Sequence, residues 1–424
     1  MNEPQQPGLQ GRLALAVPSR RWLTSRRAPI PTLPGAAAVT ATHISAKTYA
    51  PTGQAITPKP TLRRHFPYFD SLRAVAALMV LVYHVGLGSG ITESESWGRV
   101  VHHFNAGVAV FFVISGFLLY RPFVARRLLG KPPPATVRYA KRRALRILPG
   151  YWFALTALAL FPGLPDVFTS DWWRFYGFMQ VYNTATAFQG LKPAWSLCVE
   201  VSFYALLPIY AWVMWRTQRG RPLRAQVRTE LILLAVLWVS TFVNGLIFTG
   251  RVGTIDSSKS LLYTLPFTLD WFALGMSLAL ISAALDINGS RPRIVAFIEE
   301  HPLMIWLVGG ALWVLTTIPR GDPGMIHHIG SGFFGLVLVL PAVFGDGKSP
   351  HRILASAPLA WLGLISYGIF LWHQPFVDWL WANGIDTFGE GVIGFSALLL
   401  ATLAIGILLG AFSYYVVEKP FHRR

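Results

Sequence analysis

From residue 65 onward the chain reads as long apolar runs separated by short polar connectors. Ten runs stand out, with cores near 72–88, 106–120, 147–163, 196–215, 231–249, 261–284, 302–318, 328–345, 358–377 and 392–416. Each approaches the ~20 apolar residues that a helix needs to cross a bilayer, the third and seventh being short. The pattern predicts an all-α polytopic membrane domain of about ten transmembrane helices over residues 65–424. Residues 1–64 differ: they are rich in Pro, Ala, Thr and Ser with scattered Arg, and hold no sustained apolar run. Their longest apolar stretch, Leu13 to Val17, is too short for a signal-peptide core. A disordered cytoplasmic tail is expected there.

Composition agrees with this reading. The chain has 424 residues, 53% of them hydrophobic and only 13% charged, against about 25% charged in ordinary soluble proteins. The net charge is +18, which in a soluble protein would suggest nucleic acid. Here the positive residues crowd alternate connectors, Arg121 to Arg146 and Arg216 to Arg228 above all. The positive-inside rule then places these connectors, and both termini, in the cytoplasm of a cell bounded by this membrane. No nucleic-acid partner is expected. The single cysteine, Cys198, rules out an intrachain disulfide and a cysteine metal cluster.

Some runs contain groups that a bilayer does not tolerate cheaply. Arg73 and His84 lie eleven residues apart in one apolar segment. On a helix they return to within about 20° of a common face, roughly 16 Å apart along the axis. Imidazole is the side chain best suited to proton transfer near neutral pH, and an intramembrane ionisable residue is a candidate functional group. The plain alternative is a buried histidine satisfied by a neighbouring helix. Arg143 and Arg146, three apart at the start of the third run, present two guanidinium forks suited to phosphate or pyrophosphate. Basic residues are expected at that position on topology alone. Glu200 falls one turn into the fourth run, after Trp195 and before Tyr204. It could orient an acceptor hydroxyl, pair with an arginine, hold a histidine in its tautomer, or serve structure only. Cys198 reads as inert packing. His373 is a second intramembrane imidazole, six residues beyond Tyr367 and so on a different helical face. His102–His103 and His327–His328 are adjacent pairs outside the spans, and no metal site is expected from them. The aromatic connector around Trp172, Trp173, Tyr176 and Tyr182 suits a membrane interface, and aromatic faces also stack on sugars. Ser115-Gly116 allows close helix approach.

Six segments in order resemble the acyltransferase-3 family of integral membrane acyltransferases, which acylate O-antigens and macrolides. They are Asp70-Ser71-Leu72-Arg73 with His84; Gly107 through Phe117; Arg143-Ala144-Leu145-Arg146; Trp195-Ser196-Leu197 with Glu200 and Phe203-Tyr204; Ile365-Ser366-Tyr367 with Leu371 to Pro375; and Glu418-Lys419-Pro420. Where the family usually has Gly after the opening arginine, this chain has Ala74. The family's larger members append an SGNH esterase-like domain. The chain closes at Arg424, so a two-step hand-off is expected to need a separate protein.

The resemblance implies transfer of an acyl group, most often acetyl, from acyl-coenzyme A to a hydroxyl of a carbohydrate, glycolipid or macrolide-type acceptor at the plasma membrane. It implies no permanently bound cofactor; acyl-coenzyme A is a co-substrate. His84 and Glu200 are then the expected catalytic residues. Arg73, Arg143 and Arg146 hold the donor. Ser115, Trp195, Tyr204, Tyr367 and His373 bind acceptor or support structure. The rival class is a transporter or flippase of a lipid-linked or antibiotic substrate, which would use the same kinds of intramembrane residue.

Overall fold

The computed structural model describes residues 66, 68–94, 97–252, 262–318, 323–345, 354–389 and 391–422. The expected tail, residues 1–64, lies outside them. Every regular element among the described residues is helical. The long helices are α1 (Phe69–Gly88), α2 (Gly107–Leu128), α3 (Thr136–Leu158), α4 (Trp195–Gln218), α5 (Leu223–Val252) and α6 (Leu269–Asn288). After them come α7 (Arg293–Glu300), α8 (Pro302–Thr316), α9 (Pro323–Phe344), α10 (Ala357–Ala382) and α11 (Val392–Phe412).

Eight helices among the described residues are individually long and apolar enough to cross a membrane, and the chain is a multi-pass membrane protein. The other two expected spans differ from the plain pattern for physical reasons. The seventh, 302–318, is α8, which at 15 residues is short for a span and meets α7 at 90°. Pro302 opens α8 and its ring bars His301 from helical geometry, which instead takes φ −123° and ψ 48°. The ninth, α10, is long enough at 26 residues. Its apolar character is diluted by Ser366, Tyr367, His373 and Gln374, which are buried or half-buried in the bundle, and by Asp378, which is exposed. The third span begins well before residue 147, because helix α3 starts at Thr136, with one residue between it and three consecutive prolines, Pro132 to Pro134.

Helices α2 and α6 form the closest pair, and glycine is why. A Cβ on Gly116 would strike the carbonyl oxygen of Phe272, and one on Gly275 would lie 2.8 Å from the backbone nitrogen of Phe117. Reciprocal small residues let two backbones approach where apolar burial alone gives no driving force in lipid. Phe112, Phe203 and Phe272 stack in the layer so formed, with centroids 4.5 and 4.0 Å apart.

Two arginines of the basic connector turn out to be buried. Arg127 pairs with Glu230 of α5, and that carboxylate also accepts from the hydroxyls of Tyr120 and Tyr210. Arg121 pairs with Asp286 of α6 at 2.5 Å and donates to Ser282. They tie α2 to its neighbours, so a count of connector charge overstates what is available at that end.

Candidate active site

The expected site residues separate into two cavities. The first, about 250 Å³, lies toward the basic end of the bundle and is lined by Arg73, Arg143, Arg146, Ser115, Glu200, Tyr204 and Tyr367. Three guanidinium groups from two helices therefore converge on one space. Arg73 is held by Asp70 at 2.8 Å. Glu200 Oε1 accepts from the hydroxyls of Ser115 and Tyr204, both at 2.7 Å. Tyr367 donates to the carbonyl of Ile147 at 2.9 Å, which fastens α10 to α3 beside the arginines.

The second cavity, about 660 Å³, is lined by His84, Tyr83, Lys192, Trp195, Trp271 and His328, among others. Val108 lines both cavities, so the two spaces adjoin across one side chain. Lys192 and Asp378 at the wall of the second are paired at 2.9 Å, and Gln374 donates to the same carboxylate at 2.8 Å. Trp195, Trp271 and Tyr263 give this cavity flat aromatic faces beside polar groups, an arrangement that can receive a polyhydroxylated ring.

This division narrows the alternatives left open for several residues. Glu200 sits with the arginines, so it is not the group that orients His84. Ser115, Tyr204 and Tyr367 line the arginine cavity too, away from the imidazole; of the residues expected to meet an acceptor, Trp195 alone lines the histidine cavity. His373 lines neither. It is fully buried behind His84, with its Nε2 3.0 Å from His84 Nδ1. Cys198 is buried in packing and lines neither space.

The hydrogen bonds around the histidine pair fix which nitrogen does what. His373 Nδ1 lies 3.1 and 2.9 Å from the carbonyl oxygens of Ile369 and Phe370. Carbonyls only accept, so His373 Nδ1 carries the proton and its Nε2 presents a lone pair. His84 Nδ1 lies between that lone pair and the Val80 carbonyl, 2.9 Å away. With both rings neutral it must donate, which leaves His84 Nε2 as the acceptor nitrogen of a ring that lines the cavity. A neutral imidazole so locked is set up to accept a proton.

The adjacent histidine pairs also lie elsewhere than expected. His327 and His328 are inside α9, and with His102 they line the histidine cavity. His328 Nε2 is 2.9 Å from Asp270 Oδ2, and its ring stacks on Trp271 at 4.3 Å. His327 Nε2 is 2.5 Å from Asn105 Oδ1. Asp270 carried a legible signal, being a carboxylate at the head of an apolar helix. The pairing of residues 289 positions apart in His84 and His373 carried none.

A family described as an acyltransferase domain matches residues 66–411. Among known relatives, the chain is 22% identical over 383 residues to the O-acetyltransferase OatA of Staphylococcus aureus, covering 85% of this chain and 58% of the relative. It is 22% identical over 340 residues to the peptidoglycan O-acetyltransferase OatA of Listeria monocytogenes, covering 74% of this chain and 50% of the relative. The chain thus spans about half the length of the relatives it matches. No solved structure matches it.

Proposed function

The chain belongs to the acyltransferase-3 family, and on that premise we propose that it is a membrane-embedded O-acyltransferase. It moves an acyl group, acetyl in the simplest case, from acyl-coenzyme A to a hydroxyl of a carbohydrate or a glycosylated acceptor. The basic end faces the cytoplasm across the plasma membrane, as the charge asymmetry of the connectors supports. The donor is a co-substrate that enters from that side.

The observation that carries this reading is the locked imidazole of His84, facing one cavity while three arginines of an adjoining cavity stand ready for anions. Arg73, Arg143 and Arg146 hold the pyrophosphate by charge-assisted hydrogen bonds. The roughly 16 Å between Arg73 and His84 along α1 is a span that an extended pantetheine arm can bridge. The thioester then reaches the boundary at Val108, and the acceptor hydroxyl approaches from the histidine cavity. His84 Nε2 takes the hydroxyl proton as the oxygen attacks the thioester carbonyl. The ester forms, the carbon–sulfur bond breaks, and the thiolate recovers the proton. Glu200, with Ser115 and Tyr204, shapes the donor side and offsets the arginine charge there.

The test follows radiolabel from acetyl-coenzyme A into the glycan fraction of membranes carrying His84→Ala. Loss of a general base predicts a fall of about 10²–10⁴-fold in transfer, with acetyl-coenzyme A affinity kept. Wild-type transfer at equal expression would remove His84 from the chemistry.

A further inference from the structure

The pocket between α2 and α3 is unaccounted for by the site described above. It is about 440 Å³ and is lined by Arg126, Arg138, Arg142, Pro133, Pro134 and Ala135. We propose that it binds the 3′-phosphate of the donor's nucleotide, as a subsite distinct from the arginines that hold the pyrophosphate. The proposal rests on the acyl-coenzyme A reading and sharpens it.

Three observations lead there. First, the pocket's arginines are unspent. Arg121 and Arg127 on the same stretch of α2 are consumed by Asp286 and Glu230. Arg126, Arg138 and Arg142 form no ion pair among the described residues. The positive-inside rule asks only that basic residues lie at this end. It does not ask that three guanidinium groups share one concavity with no carboxylate, an arrangement whose self-repulsion a bound anion relieves. Second, one guanidinium of this surface pocket is held in place. Arg126 Nε donates to the Pro132 carbonyl at 2.7 Å, which fixes its fork against a turn stiffened by three prolines. Its terminal nitrogens stay available for an oxyanion.

Third, the pocket stands at a fixed offset from the first anion site. Arg142 is one helical turn, about 6 Å along α3, before Arg146. Arg142 lines the pocket and Arg146 the arginine cavity. Two anion sites stepped by one turn on a single helix suit a ligand with two phosphate centres on one nucleoside. Coenzyme A has that form, with a pyrophosphate at the ribose 5′ position and a monophosphate at the 3′ position. An anionic lipid headgroup shares the phosphate chemistry but supplies one centre, so the two sources are separable.

The experiment uses the full chain in phosphatidylcholine nanodiscs and measures the affinity of acetyl-coenzyme A and of its 3′-dephospho form. The wild type should prefer the phosphorylated donor by about tenfold or more, the scale of one or two charge-assisted hydrogen bonds. Arg138→Gln combined with Arg142→Gln should erase that preference and leave the dephospho affinity within about twofold. Arg143→Gln with Arg146→Gln should weaken both ligands and so report on the pyrophosphate site separately. The preference should persist in phosphatidylglycerol nanodiscs. Equal wild-type affinity for the two ligands, or equal weakening of both by the Arg138/Arg142 variant, overturns the subsite. Loss of the preference in phosphatidylglycerol assigns the pocket to lipid headgroups and also overturns it. A wild type that binds neither ligand overturns the donor reading, and the subsite with it.

Discussion

A neutral imidazole acts as a base only through its bare nitrogen, and at His84 the neighbours decide which one that is. The lock is a chain of three groups: the Ile369 and Phe370 carbonyls set His373, and His373 with the Val80 carbonyl sets His84. His373 lines neither cavity, so on the proposed mechanism it positions His84 and does not touch substrate. His373→Phe should lower transfer by at least about tenfold, short of the 10²–10⁴-fold expected for His84→Ala. Acetyl-coenzyme A affinity should stay unchanged and the pH profile of kcat should alter, because the tautomer is no longer fixed. A variant with wild-type kcat and pH profile would reduce His373 to packing. At this scale the sequence carried one half of the arrangement. The eleven-residue spacing of Arg73 and His84 is local geometry that any helix must obey. The backing imidazole arrives from α10, and nothing in local spacing announces a contact between distant helices. Glu200 is divided in the same way: its bond from Tyr204, one turn on in α4, is local geometry, but its bond from Ser115 is set by how α2 meets α4.

Helices here are joined by two devices, glycine seams and buried ion pairs, and the two predict opposite outcomes when altered. Arg127 and Glu230 are both almost wholly removed from solvent, at 3% and 0% side-chain exposure. Removing one partner leaves a buried charge, so Glu230→Leu should destabilise by about 3–5 kcal/mol. Replacing the pair together, Arg127→Met with Glu230→Leu, should recover most of that, since apolar substitutes for a buried pair are often neutral. Thermal unfolding in detergent reads both, and equal loss in the single and double variants would contradict the account. The α2–α6 seam has no such compensation. Gly275→Leu places a side chain against the backbone of Val113 and Phe117 and should abolish folded yield, whereas Gly310→Leu on α8, where an added Cβ meets nothing within 4 Å, should express normally. The apolar runs foretold most of these helices. Their ends were hidden, because arginines flanking a helix look the same in sequence whether they point to water or reach back to a carboxylate such as Asp286.

At the scale of the whole molecule, the described helices form a bundle with an arginine-lined cavity toward its basic end and a histidine-rich, aromatic cavity adjoining it at Val108. This two-chambered plan explains why so many polar residues sit within otherwise apolar helices: they line spaces where a bilayer does not reach. The sequence pattern read α10 as one more span and 302–318 as a short one, with the residues of α7 left in a connector. Ser366, Tyr367, Gln374 and Asp378 of α10 line the chambers and His373 lies behind one of them, and the break at Pro302 answers to proline sterics that hydropathy does not register. The central claim is that one imidazole is served from both chambers. Its most direct measurement uses proteoliposomes of defined orientation, with radiolabelled acetyl-coenzyme A on one side and peptidoglycan fragments as the acceptor probe on the other. The account predicts labelled glycan only when the donor is at the basic end, and none with His84→Ala in either arrangement. Labelling that ignores the side of the donor, or that survives in His84→Ala, would contradict it.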